Sequence, residues 1–206
     1  MNTEVYLRLF SQTKIDVLQD VERLFASFER RLSRFRSDSE LSQLNQNDGY
    51  AFKASPTLIG IVETALWAAS QTGGLFDPTI LHQLELAGYD RSFEQITNSE
   101  PLATSTGITP EPACVPEHGS PYSFRSVQIN SARTEITKQA ALKLDLGGIG
   151  KGWTVDRAAD RLQGLGPFLI NAGGDIYAYH SPPGERGWQI DLIHPLHPQL
   201  IMARLY

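Results

Sequence analysis

Leu142-Lys143-Leu144-Asp145-Leu146-Gly147-Gly148-Ile149-Gly150-Lys151-Gly152 is the stretch on which the fold of this chain turns. Leu142, Leu144 and Leu146 alternate with polar residues, a period of two that predicts a half-buried strand over 142–146. Four glycines then make a turn, and Val155, Ala158, Ala159 and Leu162 recur at helical spacing, which predicts a helix over Trp153 to Gln163. Further on, Phe168 to Ile170 reads as an apolar strand, Asn171-Ala172-Gly173-Gly174-Asp175 as a second glycine turn, and Ile176 to Tyr179 as another strand. This order places an α-helix against a mostly β sheet, so the expected class is α+β with a predominantly antiparallel sheet.

The central turn also has a chemical reading. Glycines let backbone come close to a ligand, the start of a helix presents free amide groups, and Lys151 adds a positive charge, so an anionic phosphate group fits there. A tight strand-to-helix turn without a ligand is the plain alternative. Two familiar phosphate motifs do not match. A GxxxxGK[ST] loop would need glycine at Asp145 and Ser or Thr at Gly152, and GxGxxG meets Trp153 where its third glycine belongs. The turn at Gly173-Gly174, taken alone, also reads as a bulge or hairpin.

Upstream, Thr3 to Phe10 alternates with Val5, Leu7 and Leu9 on one face and predicts a strand. Thr13 with Asp16 resembles a capping box, and Leu18, Val21, Phe25, Phe28 and Leu32 form an apolar stripe, so a core-facing helix is expected over Thr13 to Leu32. A short helix is expected from Ser37, with Glu40 three residues on and Leu41 and Leu44 turned inward. Another runs from Ser55-Pro56 to Thr72, capped by serine, opened by proline and stopped by Gly73-Gly74. That stop leads into Leu75-Phe76-Asp77-Pro78-Thr79, and a helix cap does not explain why an aromatic and a carboxylate stand at the turn. Residues 97–122 hold five prolines among Ser, Thr, Gly and Glu, too few apolar groups for a core element, and are expected to form a long surface loop. Ser126 to Asn130 and Arg133 to Lys138 read as a hairpin with Val127, Ile129 and Ile136 inward.

With 206 residues, 41% hydrophobic and 20% charged, the composition is that of an ordinary globular protein, and one domain is the default. A net charge of −5 disfavours a nucleic-acid partner. Arg30, Arg31, Arg34 and Arg36 gather, but Glu29, Asp38 and Glu40 surround them, so they read as a solvated helix end. The one cysteine, Cys114, excludes an internal disulfide and a multi-cysteine metal site. No apolar run approaches the span of a bilayer, so no membrane span is expected. The chain as written is expected to be cytoplasmic, or periplasmic or membrane-anchored if a leader was removed.

Four segments together carry a resemblance: Ser33-Arg34-Phe35 through Ser39-Glu40-Leu41-Ser42-Gln43-Leu44-Asn45, Gly74 through Thr79, Asp145 through Asp156, and Asn171 through Ile176. In this order they look like the FAD:protein FMN transferases, the ApbE-like flavin transferase family, and the opening Met1-Asn2-Thr3 resembles that family's Met-Gly-Thr start. The similarity covers nearly the whole chain.

The resemblance implies a Mg²⁺-dependent enzyme that splits the FAD pyrophosphate, transfers FMN to a Thr or Ser hydroxyl of a target flavoprotein and releases AMP. It implies FAD contacts at Met1, Phe35, Leu75, Phe76, Asp77, Asp145 and Lys151. It also implies a Mg²⁺ ligand at Gly148, which with glycine is the backbone carbonyl. Ligand is expected where the three glycine turns converge. Family members continue past the equivalent of Tyr206 with a Thr-Ser-Gly segment, a His-Ile-Ile-Asp-Pro-like segment bearing the catalytic histidine, and a later Asp and Thr or Ser for the metal. Those segments are not among these 206 residues, so no catalytic residue is assigned. A C-terminally incomplete transferase domain is expected, with two alternatives open: an active enzyme, or a truncated or split FAD-binding remnant that is inactive. A homo-oligomer or a complementing C-terminal fragment would be its partner. His194-Pro195 and His197-Pro198 are expected to be turn residues rather than substitutes for the missing base.

Overall fold

The computed structural model describes residues 3–11, 16–91 and 123–206. Met1, the Thr13 cap and the Pro-rich segment 97–122 lie outside these residues. The chain divides into two compact units, residues 1–27 with 151–206, and residues 28–150. Helices alternate with strands whose ladders are antiparallel, so the α+β expectation holds.

In the first unit, β1 (Val5–Leu9), β5 (Phe168–Ala172) and β6 (Asp175–Tyr179) form a sheet in the order β1-β5-β6. Central β5 is the apolar strand FLINA, and Phe168 at its start is fully buried and stacks on Tyr177 and Tyr179 with centroids 5.9 and 5.1 Å apart. β5 and β6 face each other from Ala172↔Asp175 outward, leaving Gly173-Gly174 as a two-residue hairpin loop. Both glycines have positive φ, 61° and 99°, the backbone that the twist of a two-residue hairpin requires. The hairpin reading of that turn is therefore the observed one. Edge strand β1 leaves Val5 exposed at 39%, a departure from the expected inward face that follows from its place at the sheet's edge.

A second hairpin joins β7 (Ile190–His194) to β8 (His197–Leu205) through Pro195-Leu196. His194 and His197, expected in the turn, are instead the paired strand ends that close it, and the His194 Nδ1 accepts from the backbone N–H of Leu196 and His197. Arg204 forks onto Asp191 across the ladder at 2.6 and 3.1 Å, which holds the Asp191 carboxyl below its ordinary range.

The second unit holds α2 (Glu40–Gln46), α3 (Pro56–Gln71) and α4 (Leu81–Leu86), with a sheet of order β2-β4-β3 from Phe52–Lys53, Glu135–Thr137 and Gln128–Asn130. Ser55 caps α3 by accepting from Leu58 N–H, and Pro56 stands in the first turn. At the other end Gly73 and Gly74 donate back to Ser70 and Ala69, a Schellman stop. Helix α2 is capped by Ser39, not Ser37, because it is the Ser39 hydroxyl that meets Ser42 N–H at 3.0 Å. Glu40 instead reaches α3's cap, accepting the Ser55 hydroxyl at 2.6 Å. Leu41 and Leu44 are fully buried, as their spacing demanded.

Two helices run through both units. In α1 (Val17–Leu32) the buried stripe is Val17, Val21, Leu24, Phe25, Phe28 and Leu32. Leu18, expected in that stripe, is 59% exposed, since the stripe centres on Val21 and Phe28 and position 18 falls at its margin. The other helix, α5, spans Gly147–Leu162, six residues longer at its start than the apolar pattern suggested. Its first turns are the glycine run itself. Glycine in a helix costs about 1 kcal/mol against alanine, which is why local propensity argued for a turn.

Leu142 to Leu146 corrects a further expectation. Leu142, Leu144 and Leu146 are buried in alternation, yet the segment joins no sheet. Its backbone is satisfied elsewhere: Leu144 N–H donates to the Asn45 side-chain oxygen and Leu144 C=O accepts from the Asn45 amide, both at 2.8 Å, and Asp145 N–H donates to the Pro78 carbonyl. One asparagine thus substitutes for a neighbouring strand. Asn45→Ala would strand both Leu144 backbone groups in a buried site and is expected to cost about 2 kcal/mol, read as a lower urea midpoint with unchanged m.

Candidate functional site

The second unit gathers most of the residues that the sequence marked. Asp145 stands just ahead of α5, and its Oδ1 accepts from Gly147 N–H at 2.7 Å while its Oδ2 takes the Arg34 guanidinium at 2.6 Å. The side chains of Arg34 and Asp145 are only 7% and 12% exposed. Phe35 packs edge-on against Tyr89 with centroids 5.8 Å apart, and the Arg34 guanidinium lies over both rings. Phe35 is 43% exposed.

The turn after α3 arrives at the same place. Phe76 N–H donates to the Thr72 hydroxyl, and Asp77 Oδ1 accepts both Thr79 N–H and the Thr79 hydroxyl. These three bonds fix the backbone at the aromatic and hold the carboxylate, a local reason that a helix cap alone did not supply. Leu75 projects almost wholly into solvent. The Phe76 ring lies against Gly148, so close that a Cβ there would sit 3.2 Å from the ring, and a Cβ on Gly147 would meet the Asp145 Oδ1 at 2.9 Å. Glycine at these two positions admits the phenylalanine and the carboxylate to the first turn of α5.

Lys151, in the first unit, is a helical residue whose ammonium pairs with Asp175 Oδ2 at 3.1 Å and lies 3.5 Å from the Gly173 carbonyl. The pair is partly solvated, at 36% and 43% exposure, so an incoming anion competes only with a screened partner.

Two residues that the sequence reading did not single out pair with ones it marked, Arg34 with Asp145 in the second unit and Asp175 with Lys151 in the first. Arg34 was read as part of a solvated helix end; its neighbours Arg31 and Arg36 do pair at the surface with Glu40 and Asp38, but Arg34 turns inward to Asp145. The only local signal was an arginine beside an aromatic. Asp175 was counted as a turn residue, and its pairing with Lys151 depends on the hairpin's position.

Among the described residues no three His, Cys, Asp or Glu side chains stand together as ligands. Gly148 lies in the first turn of α5, where a carbonyl points along the helix toward later amides.

The sequence model of the ApbE family matches residues 1–205. The chain belongs to the ApbE family. Curated relatives of this ApbE chain include two called FAD:protein FMN transferase. That of Treponema pallidum is 30% identical over 179 residues, 82% of this chain and 45% of the relative. That of Vibrio cholerae is 28% identical over 162 residues, 76% and 44%. Among solved structures, the ApbE protein of Thermotoga maritima superposes with a TM-score of 0.78 at 21% identity, over 99% of this chain and 64% of its own. The Vibrio cholerae flavin transferase ApbE gives 0.75 at 24% identity, over 95% and 62%. These likenesses establish the ApbE fold, and the chain spans about half the length of the curated relatives it matches. Among the described residues, no helix is long and apolar enough to cross a membrane.

Proposed function

We propose that this ApbE chain carries the FAD-binding part of a FAD:protein FMN transferase, acting on the hydroxyl of a Thr or Ser in a target flavoprotein. In that reaction the hydroxyl oxygen attacks the FMN phosphorus, the anhydride P–O bond breaks, the hydroxyl proton leaves, and AMP departs. The observation that carries the reading is the N-terminus of α5, bare of side chains at Gly147 and Gly148, with the Phe76 ring against Gly148 and with Asp145, which Arg34 ties to Phe35, just ahead of it. The Gly147, Ile149 and Gly150 amides are already given to Asp145 and to the Leu146 carbonyl, so it is the positive end of the helix and a lysine that suit a diphosphate, and an exposed aromatic residue that suits a flavin or adenine. Lys151 supplies the positive charge, and Leu75, Phe76 and Asp77 supply the turn on which a ring rests. Met1 belongs to the proposal only through the resemblance. Mg²⁺ enters in the same way; no step is assigned to it.

A second reading is flavin binding without transfer. One experiment separates the two. The chain is incubated with FAD, Mg²⁺ and a flavoprotein acceptor, beside a longer relative as positive control, and the acceptor is weighed by mass spectrometry. An FMN adduct with AMP release supports transfer. Quenching of FAD fluorescence without either supports binding alone, and no quenching removes both.

Lys151→Ala is expected to weaken FAD binding by about 1 kcal/mol, roughly fivefold, a modest figure because the ammonium is solvated. Asp175→Asn should shift affinity the other way by a few fold, since the diphosphate no longer displaces a carboxylate. Titration of both variants by fluorescence checks the opposite signs.

A further inference from the structure

We infer that Arg34 is a positioning residue of the nucleotide site, acting on bound FAD through Asp145. The inference rests on the FAD-binding reading above and adds to it the group that holds the carboxylate. Arg34 is held by four contacts. Its Nε meets Asp145 Oδ2 at 2.6 Å, its Nη2 donates to the Tyr89 carbonyl at 2.8 Å, and its carbon lies 4.1 Å and 4.5 Å from the ring centroids of Phe35 and Tyr89. A planar fork that bonds on two sides while stacking on aromatic rings has no second rotamer that keeps all four contacts. With Asp145 Oδ1 bound to Gly147 N–H, the carboxylate is tied at one oxygen to Arg34 and at the other to the start of α5.

That arrangement decides what Asp145 can do for a ligand. An ionised carboxylate has about four lone-pair sites, and these two bonds leave roughly half of them for hydroxyl or N–H donors of a nucleotide. Their direction is set by Arg34. The same guanidinium lies over the Phe35 and Tyr89 rings and bonds the Tyr89 carbonyl, so these contacts hold it in place while its Nε holds the carboxylate. Lysine in its place could still pair with Asp145. Its single ammonium could not also donate to the Tyr89 carbonyl while lying over both rings.

The test is a binding cycle on the intact chain. FAD dissociation constants are measured by fluorescence quenching for the wild type, Arg34→Lys, Asp145→Asn and the double variant, each with its urea midpoint. Arg34→Lys is expected to raise the dissociation constant tenfold or more while its urea midpoint stays close to that of the wild type, a split that a merely structural role would not give. Asp145→Asn should weaken binding by a similar factor, and the double variant should bind no more weakly than Asp145→Asn alone. Arg34→Lys binding like the wild type, or losing the same factor in both backgrounds, overturns the inference and leaves the FAD-binding reading intact. A wild type that does not bind FAD overturns both. Should Asp145→Asn fail to fold, Arg34→Lys decides alone: weakened binding at an unchanged midpoint supports the inference, and unchanged binding overturns it.

Discussion

Gly166→Ala is expected to destabilise the first unit by about 4 kcal/mol, more than any single cap or surface pair described above. A Cβ built on Gly166 would lie 2.0 Å from the backbone carbonyl oxygen of Phe10. That oxygen belongs to main chain, so no rotamer change relieves the overlap. The residue's φ of +127° is one that L side chains rarely adopt, which adds backbone strain. Relief would require β1 to part from β5 at the end where Leu9 faces Phe168 and Phe10 N–H donates to the Pro167 carbonyl. A thermal melt checks the result, with a fall on the order of 10 °C expected for a chain of this size. Gly164→Ala is the control: its φ is +83° but nothing lies within 4 Å of the added Cβ, so only the strain of about 1 kcal/mol remains.

Asp145→Ala is the second large effect, about 3–5 kcal/mol, the usual cost of removing one partner from a buried ion pair. The loss is not the energy of the pair itself. It is the penalty of leaving the Arg34 guanidinium, with its side chain 7% exposed, without its carboxylate. The variant also deprives Gly147 N–H of its acceptor at the start of α5. Asp145→Asn keeps an acceptor oxygen in place and should lose markedly less, which makes it the variant suited to binding measurements. Urea denaturation of the two variants side by side reads the difference. Asp145→Ala falling no further than Asp145→Asn would mean that the guanidinium finds water or another partner.

Much of the fold follows from local pattern. The apolar stripe of α1, the Ser55-Pro56 start and Gly73-Gly74 stop of α3, and the β5–β6 hairpin at Gly173-Gly174 all lie where spacing and turn chemistry put them. Phe35, Phe76, Asp77, Asp145 and Gly148 were named by resemblance, and the second unit brings Phe76 onto Gly148 and ties Asp145, through Arg34, to Phe35. What local pattern misjudged was the state of two segments. The glycine run became helix, and the alternating leucines 142–146 became an extended segment held by Asn45 rather than a strand.

The sequence by itself determined the elements whose causes lie within a few residues: periodic burial, caps, and glycines at turns that need positive φ. Only the tertiary structure decided that Arg34 is buried against Asp145, that Asn45 serves a backbone 99 residues away, and that Gly166 must lack a side chain because Phe10 passes beside it. Each of these depends on a partner remote in the chain. A guanidinium's environment, a backbone group's acceptor and the space beside a glycine are set by whatever folding places there, and no periodicity in the local sequence encodes that neighbour.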